Sequence, residues 1–236
     1  LHPAKSIIMA SCVPYLGHLL DAKRLSPEPA KVQGMVDLAA PRNVKQLQAQ
    51  LGLFNFYRCY VPNFSIIAKP MYELLKKGQP FTWSDVCQLA YDQLKSSFIK
   101  PGLALRLYDP KQTLHLYTDW SQVGIAAILN QRDMDGNESM IGCVSRTLNA
   151  AEQNYPAYKG ECLAAVYGAK AFRPYLLGVH YYHHTYAKPL LWLLSSKEYT
   201  SSQAMRWALL LSEYRVHRPG VHNIADALSR QPGACA

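Results

Sequence analysis

Thr113-Leu114-His115-Leu116-Tyr117-Thr118-Asp119 alternates in character from one residue to the next, the period of a strand with one buried face. Working outward, Gly124-Ile125-Ala126-Ala127-Ile128-Leu129-Asn130 reads as its neighbour. Asp133-Met134-Asp135-Gly136-Asn137 reads as a turn, with a glycine where the backbone must go left-handed. Met140 to Ser145 gives a third strand, and short turns between successive strands imply an antiparallel meander. Tyr158 to Leu177 then has helical spacing, apolar at Leu163, Val166, Tyr167, Ala169 and Phe172. His180 to Tyr186 is aromatic-rich and strand-like, with its alternation lost; Leu190 to Leu194 starts a helix, Ser201 to Tyr214 is another, and Val221 to Ser229 closes the domain. Three strands, a helix, a strand and further helices make an α/β arrangement: a mixed sheet with flanking helices.

Before this stretch the period is different. Pro101-Gly102 is the expected boundary, since both residues interrupt regular structure. Residues 26–100 read as a small helical module. Pro27 and Pro29 open a helix containing Val32, Met35 and Val36. Asn43 is the expected cap of the next, which carries Leu47, Leu51, Phe54 and Tyr57/Arg58 on one face and breaks at Pro62-Asn63-Phe64. Ile67 to Leu75 forms another, ending at Lys76-Lys77-Gly78, and Thr82-Trp83-Ser84-Asp85 starts a last one through Ala90, Leu94 and Phe98. Residues 1–25 hold an apolar hairpin-like segment around Gly17. Residues 101–236 form the sheet-bearing part.

Three carboxylates carry the candidate chemistry: Asp119 in Leu116-Tyr117-Thr118-Asp119-Trp120-Ser121, Glu161 opening Glu161-Cys162-Leu163-Ala164-Ala165-Val166, and Asp226 in Asn223-Ile224-Ala225-Asp226-Ala227-Leu228-Ser229-Arg230. Clustered carboxylates hold hard divalent cations over a phosphodiester. Singly, Asp119 reads as a strand-end acid, Glu161 as an acid favoured by a helix N-terminus, and Asp226 as a helix cap. Their joint order favours a metal site.

The chain has 236 residues, 49% of them hydrophobic and 17% charged, enough for substantial cores. Its net charge of +9 points to a polyanionic partner, most simply nucleic acid. Six cysteines lack any Cys-x-x-Cys pair, so neither a zinc ribbon nor a compact disulfide framework is expected. Free thiols fit an intracellular, reducing compartment. No apolar run is long enough to span a membrane. The chain starts at Leu1 with no signal-peptide pattern, and a fragment or processed product is expected.

Together these strings resemble the C-terminal part of a Ty3/gypsy-type LTR retrotransposon reverse transcriptase. Tyr15-Leu16-Gly17-His18 looks like the primer grip at the end of the palm. Leu51-Gly52-Leu53-Phe54-Asn55-Phe56-Tyr57-Arg58 with Val61-Pro62-Asn63-Phe64 looks like the thumb and connection signature. Thr118-Asp119-Trp120-Ser121, Glu161-Cys162-Leu163-Ala164, Phe172-Arg173-Pro174-Tyr175-Leu176, and Arg218-Pro219-Gly220 followed by Asn223 to Arg230 look like its ribonuclease H domain. The resemblance implies an RNase H-like mixed sheet preceded by a thumb/connection module. The palm carboxylates would lie upstream of Leu1, so this stretch by itself is not expected to polymerise.

RNase H cleaves the RNA strand of an RNA–DNA hybrid with two magnesium ions about 3.5–4 Å apart. By resemblance, Asp119 would bridge the ions, Glu161 would bind the second near the 2′-hydroxyl, and Asp226 would hold the first near the attacking water. The fourth carboxylate normally follows a threonine. Here Thr185 is kept and Tyr186 follows it. A neutral phenol is a poor magnesium ligand, so catalytic activity is expected to be impaired, leaving a vestigial site at Asp119, Glu161 and Asp226. His184 shares Tyr186's strand face and is a candidate substitute, although imidazole favours softer metals. The segment Arg215-Val216-His217 before Arg218 also looks shortened, where the family continues into a short strand. Tyr57, Tyr60, Trp83, Trp192 and Trp207 read as core residues rather than base-stacking platforms. Lys76-Lys77 and Arg42/Lys45 read equally as phosphate contacts or solvated helix ends.

The expectation is therefore a retroelement-derived pseudoenzyme, domesticated as a binding or structural subunit of a larger assembly, with a ribonucleoprotein as one candidate. Its partners would be nucleic acid (RNA–DNA hybrid or structured RNA), protein, or both. The alternative is an active RNase H, which would require Mg2+; an inactive one would need no cofactor.

Overall fold

The computed structural model describes residues 9–185 and 201–217. The expected helix start at 190–194, the closing segment at 221–229 and Trp192 lie outside the described residues. The chain divides into two compact units. One holds residues up to Asp109 together with Ser139–Thr147; the other holds Pro110–Glu138 and the chain from Leu148 onward.

In the first unit, β1 (Cys12–Tyr15) and β2 (His18–Asp21) pair antiparallel with Tyr15 opposite His18. The two-residue loop between them puts Leu16 (φ 49°) and Gly17 (φ 80°) in the left-handed region, whose twist suits a tight hairpin. β3 (Arg24–Pro27) pairs with β2, and β4 (Leu105–Arg106) returns to pair with β3. The chain beyond Pro101-Gly102 is thus drawn back into this unit, and the division by contact falls at Asp109/Pro110.

The helices follow their sequence signals. α1 (Pro29–Val36) opens on proline. α2 (Val44–Phe56) is capped by Asn43, whose Oδ1 accepts from the Gln46 N–H at 2.9 Å. Asn43→Ala should cost about 1 kcal/mol of stability, read as a lower urea midpoint with an unchanged slope. The single helix expected from Ile67 to Leu75 is instead two short ones, α3 (Phe64–Ile67) and α4 (Lys69–Glu73). α5 (Asp85–Phe98) is capped by Ser84. Leu47, Leu51, Phe54 and Tyr57 point into one core with Met35, Tyr60, Phe64, Met71, Tyr91 and Leu94. Arg58 and Ser65 both bond the Ser145 carbonyl, at 2.6 and 2.8 Å.

In the second unit, β5 (Thr113–Trp120) is central. It pairs antiparallel with β6 (Gly124–Arg132). β7 (Glu138–Thr147) follows β6 through the expected turn, where Gly136 takes φ 85°; most of β7 is counted with the first unit. β8 (His180–His184) lies parallel to β5 on its other side, and β9 (Arg215–His217) lies parallel to β8. This is the expected mixed sheet. α6 (Ala157–Ala171) packs on β5 and β6, followed by α7 (Arg173–Leu176), and α8 (Ser202–Ser212) packs on α6. Gly168 permits the approach of α6: a Cβ there would lie 2.9 Å from both Ala127 Cβ and Thr118 Cγ2.

Two expectations are corrected. β8 keeps its alternation: Tyr181 and His183 are buried, while His180, Tyr182 and His184 are less so. Aromatic and imidazole rings suit either side of a sheet, which hides the period from a polarity count. The segment before Arg218, although short, still forms a strand, β9.

Candidate active site

β5 ends in Thr118-Asp119-Trp120. Thr118 and Leu116 lie toward Gly168 of α6, and Asp119 is exposed. α6 begins at Ala157 after Pro156, which places Glu161 near its N-terminal end, half-buried. The two carboxylates, 42 positions apart in sequence, are near enough to interact. Burial first, and the Asp119 charge second, hold the Glu161 carboxyl above the usual carboxylate range. Glu161 Oε2 is buried and has no hydrogen-bond partner. Such an oxygen is costly in isolation and is satisfied by a cation or a donor.

Tyr186 and Asp226 lie outside the described residues. Among the described residues no group of three or more His, Cys, Asp or Glu is placed to hold a metal ion. Asp119 and Glu161 are therefore the part of the expected site that the structure brings together.

His184 is not brought to that pair. Its Nε2 is 2.9 Å from His115 Nδ1, and its ring stacks on Tyr117 with centroids 4.3 Å apart. Burial lowers its pKa. His183 turns to the opposite face, its Nε2 2.9 Å from Thr118 Oγ1. Burial pushes its pKa down to about 4. The adjacent histidines therefore belong to two different faces of the sheet and cannot share a ligand.

Beyond Tyr117 on that face, the Glu138 carboxylate accepts from the Tyr117 hydroxyl at 2.8 Å and from Asn130 Nδ2 at 2.9 Å, and it pairs with Arg132. These bonds hold Glu138 down to about 2, against the burial that would raise it. It is a satisfied structural acid.

In the first unit, the hairpin resembling the primer grip is anchored by aromatic residues. The Tyr57 hydroxyl donates to the Gly17 carbonyl at 2.8 Å, and the Tyr60 hydroxyl lies 2.9 Å from His18 Nδ1. His18 stacks on Phe56 at 5.2 Å. Tyr15 and Leu16 are exposed at the tip. Tyr57 and Tyr60 are core residues as expected, Trp83 packs against the first core, and Trp207 packs against the cluster of Ile125, Leu148, Leu163 and Ala164. Lys76 pairs with Glu73, which favours the solvated helix end there.

Comparison with known proteins agrees with these features. Residues 109–214 match the family described as the RNase H-like domain found in reverse transcriptase. The chain is 37% identical over 221 residues to the retrovirus-related Pol polyprotein from transposon 297 of Drosophila melanogaster, covering 92% of this chain and 20% of that one. It is 29% identical over 237 residues to the transposon Tf2-3 polyprotein of Schizosaccharomyces pombe, covering 98% of this chain and 18% of that one. The chain thus spans about a fifth of the length of these relatives. Among solved structures, the foamy viral protease-reverse transcriptase in complex with RNA/DNA hybrid superposes with a TM-score of 0.69 at 21% identity, covering 91% of this chain and 30% of that one. That likeness shows the fold.

Proposed function

We propose that this chain is the RNase H-bearing region of a Ty3/gypsy-type retrotransposon reverse transcriptase, and that it binds an RNA–DNA duplex and a divalent cation while cleaving poorly, acting as a binding subunit of a larger assembly. The observation that carries the cation part is Glu161 Oε2, buried and unpaired beside Asp119. RNase H-like domains generally use Mg2+, and carboxylate oxygens are the hard donors it takes. When bound, the ion supplies charge to offset the phosphate and acidity to a bound water.

The chain's own residues divide the work. Asp119 and Glu161 would hold the cation, with Asp226 as the third expected ligand. Tyr186 stands where the fourth carboxylate is expected and adds no negative charge at neutral pH, since a phenol titrates near about 10. The net charge of +9 favours a nucleic-acid partner, and the foamy viral reverse transcriptase of the same fold is in complex with RNA/DNA hybrid.

A hybrid with a labelled RNA strand tests this by binding and cleavage together. The full chain is expected to bind the hybrid in a salt-dependent way and to cut it slowly in saturating Mg2+. Fast cutting that Asp119→Asn removes would establish an active RNase H instead. Failure to bind the hybrid at low salt would end the nucleic-acid reading.

A further inference from the structure

Trp120 and Gly160 interlock beside the two carboxylates. Trp120 is the last residue of β5 and directly follows Asp119; Gly160, in α6, directly precedes Glu161. A Cβ added at Gly160 would lie 2.2 Å from Trp120 Cε2, 2.3 Å from Nε1 and 2.4 Å from Cδ2. The indole therefore fills the volume a side chain at 160 would need. Its Nε1 is buried with no acceptor, so a hydrogen bond is given up for this placement. The ring also packs on the Ile125, Leu148, Leu163 and Ala164 cluster, which anchors it to the body of the unit.

We propose that Trp120 is a positioning residue that sets, through Gly160, the separation of Asp119 and Glu161 for a shared cation. The proposal rests on reading that pair as a cation site. Two carboxylates near enough to interact repel each other without a cation, and the simplest relief is for the α6 N-terminus to move away from β5. An indole seated on the helix backbone one residue from each acid ties the two elements together. Glycine at 160 admits the indole, because any side chain there would lift α6 and carry Glu161 with it.

Mn2+ affinity of the full chain, measured by electron paramagnetic resonance of the free ion, tests this without an activity assay. Far-UV circular dichroism checks the fold of each variant. Gly160→Ala and Trp120→Ala should each bind Mn2+ roughly 10- to 100-fold more weakly, the range for residues that orient metal ligands. The double variant Trp120→Ala/Gly160→Ala should bind no more weakly than Trp120→Ala, because the methyl group then meets no indole. If Gly160→Ala fails to fold, Trp120→Ala decides. If Asp119→Asn abolishes Mn2+ binding while both single variants bind like wild type, the positioning proposal is overturned and the cation site stands. If Asp119→Asn leaves Mn2+ binding unchanged, the cation-site reading itself falls, and this proposal with it.

Discussion

Tyr186→Asp should raise the rate of RNA-strand cleavage on an RNA–DNA hybrid by something on the order of 10³-fold at saturating Mg2+. The phenol presents one neutral oxygen where the family pattern has a charged carboxylate following Thr185. The substitution adds one negative charge and a second hard oxygen donor to a set that already contains Asp119 and Glu161. A 10³-fold change corresponds to about 4 kcal/mol of transition-state stabilisation, a reasonable share for one of four metal ligands. The gain must depend on the rest of the site, so Asp119→Asn in the Tyr186→Asp background should return the rate to the wild-type level. Hybrid affinity should change little, since phosphate contacts supply most of the affinity of proteins that bind nucleic-acid duplexes. A Tyr186→Asp protein that binds hybrid normally but gains no cleavage would show that the missing carboxylate is not what limits hydrolysis.

The second large effect is on stability in acid. His183, in β8, is buried against Thr118 and stays neutral down to about pH 4. In the unfolded chain it titrates near about 6.5. Between these values the unfolded state binds a proton that the folded state refuses, so stability falls as pH drops from about 6.5 to about 4 and is unaffected above that window. At about 1.4 kcal/mol per unit the loss reaches about 3 kcal/mol at the lower end. His183→Gln keeps a polar partner for Thr118 and removes the titration. Urea midpoints measured across pH 4 to 7 should therefore fall less steeply for His183→Gln than for wild type. Parallel pH profiles would show that His183 does not govern the acid response.

Much of the fold was legible because its signals are local. Asn43, Ser84 and Ser201 are helix caps whose oxygen and first-turn N–H lie within three residues. The period of two in β5 and the glycine turn before β7 are equally short-range. Where local signals conflict, the sequence misleads. The aromatic and imidazole residues of β8 concealed an alternation that burial makes plain. Pro70 and the break at Ala68 divided the expected 67–75 helix into α3 and α4. The return of β4 to β3 left no local trace, because a pairing across some 80 residues depends on what the intervening helices bury.

The candidate site divides in the same way. Sequence alone determined that Asp119 ends a strand, that Glu161 sits near the start of a helix, and that Tyr186 follows Thr185 where an acid is expected. Only the tertiary structure decided that Asp119 and Glu161 lie near enough to interact, that one Glu161 oxygen is buried without a partner, that His184 is engaged with His115 and Tyr117, and that Trp120 fills the space above Gly160. Strand period and helix caps are properties of neighbouring residues. The burial of an oxygen and the fit of an indole against a helix depend on atoms brought together from distant parts of the chain.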